Sequence, residues 1–250
     1  MPIQQIRNKK PLVHCITNYV VANFTANGLL AIGASPVMAD EVTEVEEMVA
    51  ISNALLINIG TINTRTKEAM LLAGKRANEL GIPVVLDPVG VGATSFRQQV
   101  VKHLLENVHF DLLRCNAGEL ASIAGVSWQA KGVDSGKGEM DVAVVAKHEA
   151  KKWNCLVVVT GACDYITDGD NEFWVTGGHE QMTEVTGTGC LLSAICAAVL
   201  SLEGKALLNL RDVLQAYKKV SEQAAQSLLL GSFQTEVLNS LHHISRGEAH

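Results

Sequence analysis

The amino-acid sequence predicts a doubly wound α/β fold, in which helices cover both faces of a mostly parallel sheet. Short apolar runs rich in β-branched residues alternate with segments of helical period along the first two thirds of the chain. Such runs are typical of strands buried on both faces, and strands that alternate with helices form parallel sheets. Hydrophobic residues make up 48% of the chain and aromatic residues only 4%. This composition favours an aliphatic core between helices and a sheet.

Five apolar runs are the predicted parallel strands, and the intervals between them leave room for one or two helices. The strands are expected at 12–17, 55–60, 83–88, 110–115 and 156–161. The intervening segments have helical patterns; in 63–80 the apolar residues fall mostly on one stripe of a helix, and the charged residues lie mostly off it. Helices are therefore predicted at 18–31, 43–52, 63–80, 94–107, 116–124 and 140–152.

The pattern changes after residue 161. Residues 163–178 contain two short strand-like runs around the turn Asp168-Gly169-Asp170, which predicts a hairpin on the edge of the sheet. From Gly187 onward the sequence is helical in pattern to near its end. Because no linker or repeat interrupts the chain, residues 1–250 are predicted to form one domain.

Charge, cysteine content and the length of the apolar runs argue against several classes of protein. With 20 Lys+Arg against 26 Asp+Glu the net charge is −6, so no basic surface for nucleic acid is expected. No apolar stretch approaches the ~20 residues of a membrane span, and no secretory signal is expected at the N-terminus. The six cysteines form no C-x-x-C pair. We therefore expect a reduced, cytoplasmic protein without a membrane partner.

Every predicted parallel strand ends in polar or permissive residues. They are Thr17-Asn18, Gly60-Thr61, Asp87-Pro88, Arg114-Cys115-Asn116 and Thr160-Gly161. Any one of them could simply be the turn by which a strand leaves the core. Ligands of open parallel sheets bind beyond the carboxyl ends of the strands, so the five together indicate a binding site.

The segment VTGTGC, from Val185 to Cys190, runs directly into a long apolar helix. Glycines that bend the backbone just before a helix leave free N–H groups directed at one spot, an arrangement that binds phosphate. The alternative is that these glycines only allow the loop to pack closely against the helix.

Two carboxylates are candidate metal ligands. Glu119 lies three residues after Asn116 at a predicted helix start, and Asp87 ends a neighbouring strand. Together they could hold magnesium beside nucleotide phosphates, because this ion prefers carboxylate oxygens and retained water. Alternatively, Asn116 and Glu119 form a capping box and Asp87 is a turn residue before Pro88.

Five ordered motifs together resemble the hydroxyethylthiazole kinase family of the ribokinase-like superfamily, over about residues 10 to 240. They are ASPVMAD at 34–40, DPVGVGAT at 87–94, N-x-x-E at 116–119, KGVDS at 131–135 and VTGTGC at 185–190. The resemblance implies a three-layer αβα fold with a mostly parallel central sheet. It also implies transfer of the ATP γ-phosphate to the primary hydroxyl of 4-methyl-5-(2-hydroxyethyl)thiazole in thiamine salvage, by a homotrimer with active sites between subunits.

The resemblance assigns five positions to the substrate side. Met38 would lie against the thiazole ring, with the backbone of Gly187 beside the substrate. Asn18, Gly60 and Thr61 would line the pocket. A methionine is more often part of a core, so simple packing is the alternative for Met38.

On the phosphate side, Arg114 and Thr160 would contact ATP, and Asp87 and Glu119 would govern magnesium. Cys190 occupies the position where most ribokinase-like enzymes place an aspartate as base. A cysteine that merely packs under the helix start is the alternative, because free cysteine is among the most buried residue types.

Two positions depart from the family pattern. Cys115 follows Arg114 where glycine is expected, and residues 228–233, LLLGSF, lack an expected proline near the adenine side.

Two other functions stay open. The first is a kinase for another hydroxylated vitamin precursor, pyridoxal or hydroxymethylpyrimidine. The second is a non-catalytic ligand sensor on the same fold.

Overall fold

The computed structural model describes residues 1–127, 140–227 and 229–248. Its eight strands are β1 (Leu12–Ile16), β2 (Ser35–Val37), β3 (Ala54–Asn58), β4 (Val84–Asp87), β5 (Leu112–Asn116), β6 (Leu156–Thr160), β7 (Asp164–Thr167) and β8 (Glu172–Val175). They form one sheet in the order β2-β1-β3-β4-β5-β6-β7-β8. The pairs from β2 to β6 are parallel, whereas β7 and β8 form an antiparallel hairpin on the β6 edge.

Ten α-helices flank the sheet in the described part of the chain. They are α1 (Pro2–Lys9), α2 (Ala22–Ala31), α3 (Val45–Ala50), α4 (Thr64–Leu80), α5 (Ser95–Asn107), α6 (Ala117–Ala124), α7 (Val142–Trp153), α8 (Thr188–Leu200), α9 (Ala206–Ala224) and α10 (Leu230–Arg246). Short 3₁₀ helices occupy Val91–Ala93 and Glu180–Thr183. The mixed α/β fold with a mostly parallel sheet is thereby confirmed.

Two apolar cores, one on each face of the sheet, define the three layers. Successive side chains of a strand point to opposite faces, so Leu55 and Ile57 of β3 enter one core and Leu56 enters the other. Helices α3 to α7 cover the first face, and α1, α2, α8, α9 and α10 cover the second. Helix α8 is buried on almost every side and packs across β1, β3 and β4.

The structure contains two elements that the sequence pattern did not predict, α1 and β2. Helix α1 begins at Pro2, a residue suited to the first helical turn, and buries Ile3 and Ile6. Strand β2 has only three residues and pairs with β1 at the edge of the sheet. The five predicted parallel strands, the hairpin and the helical C-terminal part are confirmed.

Two sequence motifs fall wholly or partly outside the described residues. KGVDS at 131–135 lies entirely outside them, as does Leu228 at the start of LLLGSF. Among the residues that are described, no helix is both long and apolar enough to cross a membrane.

Candidate active site

The predicted strand-end residues meet at one edge of the sheet, as parallel strands require. Strand β3 pairs with β4 so that Asn58 lies beside Asp87, and β5 pairs with β6 so that Asn116 lies beside Thr160. The start of α8 lies over this edge, since Cys190 contacts Asn18 just after β1 and Ser193 bonds to Asp87. Side chains from five strands and one helix therefore converge here.

A chain of side-chain hydrogen bonds crosses three strand ends. The Asn18 Nδ2 group donates to Asn58 Oδ1 at 3.0 Å, and Asn58 Nδ2 donates to Asp87 Oδ2 at 2.8 Å. The backbone N–H of Gly60 also donates to Asn58 Oδ1, at 2.9 Å. All three side chains are buried, so these bonds hold them in defined orientations.

Helix α8 adds Cys190 and Ser193 to this chain. These residues lie three positions apart and share one face of the helix. The Cys190 Sγ atom lies 3.5 Å from Asn18 Nδ2, and the Ser193 hydroxyl donates to Asp87 Oδ2 at 2.8 Å. Sequence reasoning did not select Asn58 or Ser193. Each is a polar residue inside an otherwise apolar run, and that is the signal by which both could have been found.

The start of α8 has the geometry of an anion site. Gly187 precedes the first turn with φ of 96°, and a Cβ there would lie 2.7 Å from Val21 Cγ1. Both the positive φ and the close contact require glycine. Within the described ranges no side chain caps this helix end, and the first N–H groups of a helix have no partner within it. Their dipoles favour a negatively charged group at this point.

Arg114 of β5 lies between the carboxylate and the helix start. Its Nη1 atom is 3.7 Å from Asp87 Oδ1, and Nη2 donates to the Thr160 hydroxyl. A Cβ on Gly189 would come within 2.8 Å of both terminal guanidinium nitrogens, so Arg114 lies directly against α8. The buried Nε atom has no hydrogen-bond partner within the described residues. A guanidinium in this position is suited to a phosphate.

Glu119 makes the capping box predicted for the start of α6 and a second contact besides. Its Oε2 accepts from the Asn116 N–H at 2.9 Å, while the Asn116 side chain accepts from the Glu119 N–H at 2.9 Å. Its Oε1 accepts from the Gly90 N–H at 3.0 Å. The capping alternative is therefore correct as local structure. The added bond also ties α6 to the loop that follows Asp87.

The charge of Asp87 affects the pKa of Glu119, and the Arg114 guanidinium affects the pKa of both carboxyl groups. Burial raises the pKa of Asp87, although Arg114, Ser193 and Asn58 oppose this. Burial, followed by the charge of Asp87, raises the pKa of Glu119 to about 7. Two buried carboxyl groups with raised pKa values favour the binding of an added cation.

The residues present fit the magnesium ion that the family resemblance implies. Asp87 Oδ1 is buried and has no hydrogen-bond partner in the described part of the chain, whereas Oδ2 is fully engaged. No group of three or more His, Cys, Asp or Glu side chains that could hold a metal occurs among the described residues. Two carboxylates with water and substrate phosphates are an ordinary ligand set for magnesium.

The thiol of Cys190 is neutral at physiological pH. Burial and the nearby Asp87 carboxylate raise the pKa of Cys190 to about 12, against the opposing hydrogen bonds and the charge of Arg114. The lowering of a thiol pKa that a helix N-terminus produces is therefore overcome here. Burial also raises the pKa of Cys115, whose side chain lies in the apolar core.

The remaining predicted substrate residues are divided between two places. Gly60 lies against Asn18, because a Cβ at Gly60 would be 2.8 Å from Asn18 Nδ2. Thr61 Oγ1 accepts from the Tyr19 N–H at 3.3 Å, so both residues belong to the Asn18 cluster. Met38 follows β2 and packs, half-buried, against the apolar core. That burial agrees with ordinary packing, and its contact with a thiazole ring stays a prediction.

The fold is that of the ribokinase-like class. A ribokinase-like superfamily protein from Enterococcus faecalis V583 superposes on this chain with a TM-score of 0.72 at 12% identity. The match covers 96% of this chain and 88% of that chain. At this identity the likeness establishes the fold alone.

The sequence comparisons narrow the class to one family. The model of the hydroxyethylthiazole kinase family matches residues 3–247. A hydroxyethylthiazole kinase from Lysinibacillus sphaericus (strain C3-41) is 59% identical over 251 residues, covering 100% of this chain and 98% of that protein. A hydroxyethylthiazole kinase protein from Pyrococcus horikoshii OT3 superposes with a TM-score of 0.88 at 39% identity, covering 97% of this chain and 91% of that chain. The chain belongs to the hydroxyethylthiazole kinase family and is a kinase.

Proposed function

We propose that this kinase transfers the γ-phosphate of ATP to the primary hydroxyl of 4-methyl-5-(2-hydroxyethyl)thiazole, with magnesium, as a step of thiamine salvage in the cytoplasm. One observation carries the proposal. The uncapped start of α8 brings Cys190 within 3.5 Å of Asn18, while Arg114 lies against the same turn at Gly189. An anion site and a polar pocket for an alcohol therefore adjoin each other.

The phosphate side supplies positive charge where the transferred group would lie. Phosphoryl transfer through a loose transition state depends on positioning and charge neutralisation more than on covalent chemistry. The N–H groups at the start of α8 and the Arg114 guanidinium are fixed before substrate arrives, so they need little reorganisation during the reaction. The Thr160 hydroxyl accepts from Arg114 Nη2 and so helps to fix the guanidinium.

Asp87 and Glu119 are the residues that would hold magnesium, directly or through water. When bound, the ion would neutralise charge on the nucleotide phosphates. Asn58 and Ser193 bind Asp87 Oδ2 and thereby direct Oδ1 toward Arg114. The Gly90 N–H and the Asn116 N–H hold Glu119 in the same way.

Cys190 is the group that we place at the substrate hydroxyl. Its raised pKa makes the thiolate scarce at neutral pH but strongly basic when it forms. A scarce base is sufficient, because the hydroxyl proton leaves late when bond formation to phosphorus lags behind bond cleavage. Asn18 adjoins Cys190, and Asn18, Gly60 and Thr61 would line the alcohol pocket, with Met38 and the Gly187 backbone toward the ring.

We also propose that the chain is a single domain that assembles as a homotrimer with active sites between subunits. Tyr19 is 79% exposed and Val20 is 60% exposed, directly beside Asn18. Leu30 at the other end of α2 is exposed as well. Apolar side chains at the mouth of a site suit burial by a neighbouring subunit.

Sedimentation tests the proposed assembly. It should give about three times the 26.7 kDa chain mass, whereas a fully active monomer would exclude shared sites.

A coupled ADP-release assay tests the proposed activity. ATP and magnesium are supplied with the thiazole alcohol, pyridoxal or hydroxymethylpyrimidine in separate reactions, and a fourth reaction has no alcohol. We expect ADP release that depends on the thiazole alcohol. Faster release with another alcohol would assign a different substrate, and tight binding of the thiazole alcohol without ADP release would indicate a sensor.

A further inference from the structure

One face of α9 makes hydrogen bonds to three loops at the edge of the sheet that carries the candidate active site. Positions three and four apart in a helix lie on the same side, so two adjacent residues and the two residues one turn later form one broad face. The side chains on this face that reach the loops are Tyr217, Lys218, Ser221 and Glu222. None of them was selected from the sequence, and none belongs to the site described above.

Lys218 makes the most extensive of these contacts. Its Nζ atom lies 2.9 Å from Asp164 Oδ1, and it donates to the carbonyl oxygens of Gly161 at 2.8 Å and Ala162 at 3.4 Å. The two charged side chains are only 12% and 6% exposed. Asp164 Oδ1 also accepts from the Gly161 N–H at 3.0 Å. The peptide groups on both sides of Gly161 are thus held by one ion pair.

The same turn of α9 holds the start of α8. The Tyr217 hydroxyl donates to the Thr188 carbonyl oxygen at 2.8 Å, and the Ser221 hydroxyl accepts from the His179 N–H at 3.0 Å. Lys218 follows Tyr217 directly, so the loop after β6 and the first turn of α8 are fastened to adjacent residues. Movement of one relative to the other would require α9 to move.

We propose that Lys218 is a positioning residue for the nucleotide, because it fixes the Thr160–Gly161 backbone relative to the anion site of α8. The inference rests on the proposed function, in which ATP lies against Thr160. Asp164 neutralises the ammonium group, and two carbonyl oxygens occupy its hydrogens. Lys218 therefore acts through the loop and not by contact with phosphate.

The chain supplies a matched control for this proposal. Lys219 is the next residue on the same helix and is exposed. We expect Lys218→Met to raise KM for ATP on the order of tenfold, which corresponds to about 1.4 kcal/mol of binding free energy. KM for the thiazole alcohol should stay near the parental value. Lys219→Met should change neither constant, and Lys218→Arg should recover part of the ATP affinity because it restores a cation with donors.

A second variant separates positioning from loss of stability. Lys218→Met leaves Asp164 buried without its partner, which destabilises a fold. Lys218→Met combined with Asp164→Asn removes that charge and keeps an oxygen acceptor for the Gly161 N–H. The double variant should regain thermal stability while its KM for ATP stays raised. A parental KM for ATP in the double variant would overturn the proposal.

Calorimetric titration with ADP gives a readout that is independent of turnover. If the parent protein releases no ADP from ATP with any alcohol, the proposed function fails. Lys218→Met should even then bind ADP about tenfold more weakly than Lys219→Met if the loop is a nucleotide loop. Equal ADP affinity of the two variants would contradict the role of Lys218 whatever the activity.

Discussion

The side-chain amide of Asn58 donates to Asp87 Oδ2 at 2.8 Å, and through this bond the proposed alcohol pocket is joined to the proposed metal site. The other end of the same amide accepts from Asn18, which adjoins Cys190. One buried side chain therefore sets both the orientation of a carboxylate and that of a pocket residue. The remaining carboxylate oxygen, Asp87 Oδ1, faces Arg114 at 3.7 Å.

Asn58→Ala should lower kcat by at least tenfold with a smaller effect on either KM. The substitution leaves the Gly60 N–H and the Asn18 amide short of an acceptor and leaves the Asp87 carboxylate bonded to Ser193 alone. Unpaired buried groups of this kind destabilise a protein by about 1–3 kcal/mol. Steady-state kinetics and denaturant unfolding measure the two effects. Asn107→Ala, at the exposed end of α5, is the control, and an unchanged kcat for Asn58→Ala would remove the bond from the mechanism.

Glu119→Gln should abolish most activity at low magnesium concentration. Glutamine keeps one oxygen for the capping box, but it loses the acceptor for the Gly90 N–H and the charge that would hold a divalent cation. Turnover measured over a series of magnesium concentrations should show a raised requirement for the metal. Glu106→Gln on the surface of α5 is the matched control. Near-normal turnover of Glu119→Gln at low magnesium would leave Glu119 with its capping role alone.

The raised pKa of Glu119 predicts how the metal-free protein responds to pH. The pKa is about 7 in the folded protein, against roughly 4.3 for an unfolded chain. A carboxyl group with a raised folded pKa stabilises the fold below the unfolded value, and that contribution is lost as pH rises through the folded value. In the presence of a chelator, the free energy of unfolding of the parent protein should thus fall relative to that of Glu119→Gln as pH rises from about 4.5 to 7. A constant difference between the two proteins would contradict the raised pKa.

Most of the fold could be predicted because its signals are local and strong. Buried parallel strands and amphipathic helices each have a period that is legible in the sequence, and α4 and β3 lie within two residues of the predicted bounds. Strand β2 has three residues, includes a proline and lies at an edge, so it carries little periodic signal. Helix α1 is short and mostly polar, and its burial depends on contacts with distant α10.

The candidate site was predicted in outline, because the carboxyl ends of parallel strands must meet. Asp87 and Thr160 could be selected because they end their strands, and Arg114 because it lies near the end of its strand. Asn58 and Ser193 could be noticed in the sequence but not identified as site residues, because a polar residue within an apolar run can also be a packed core residue. Their importance depends on strand register and on the depth at which α8 crosses the sheet, which only the tertiary structure gives.

Cys190 gives two substitutions with opposite expected effects. Cys190→Ala should lower kcat about 10²- to 10⁴-fold while ATP affinity is kept, the usual range for loss of general-base assistance. Cys190→Asp should retain substantial activity, because a carboxylate can accept the proton at neutral pH. Cys196→Ala, on the same helix but in the core, should lower the melting temperature with little effect on kcat. A fast alanine enzyme together with an unfolded aspartate variant would make Cys190 a packing residue.

The most direct test of the proposed function is a competition among alcohols in one reaction. The protein is mixed with ATP, magnesium and equal concentrations of the thiazole alcohol, pyridoxal and hydroxymethylpyrimidine, and early products are identified by mass spectrometry. Because competing substrates are consumed in the ratio of their kcat/KM values, the product ratio reports specificity directly. We expect phosphorylated thiazole alcohol as the main product. A phosphate ester of either other alcohol as the main product, or ADP without any phosphorylated alcohol, would contradict the proposed function.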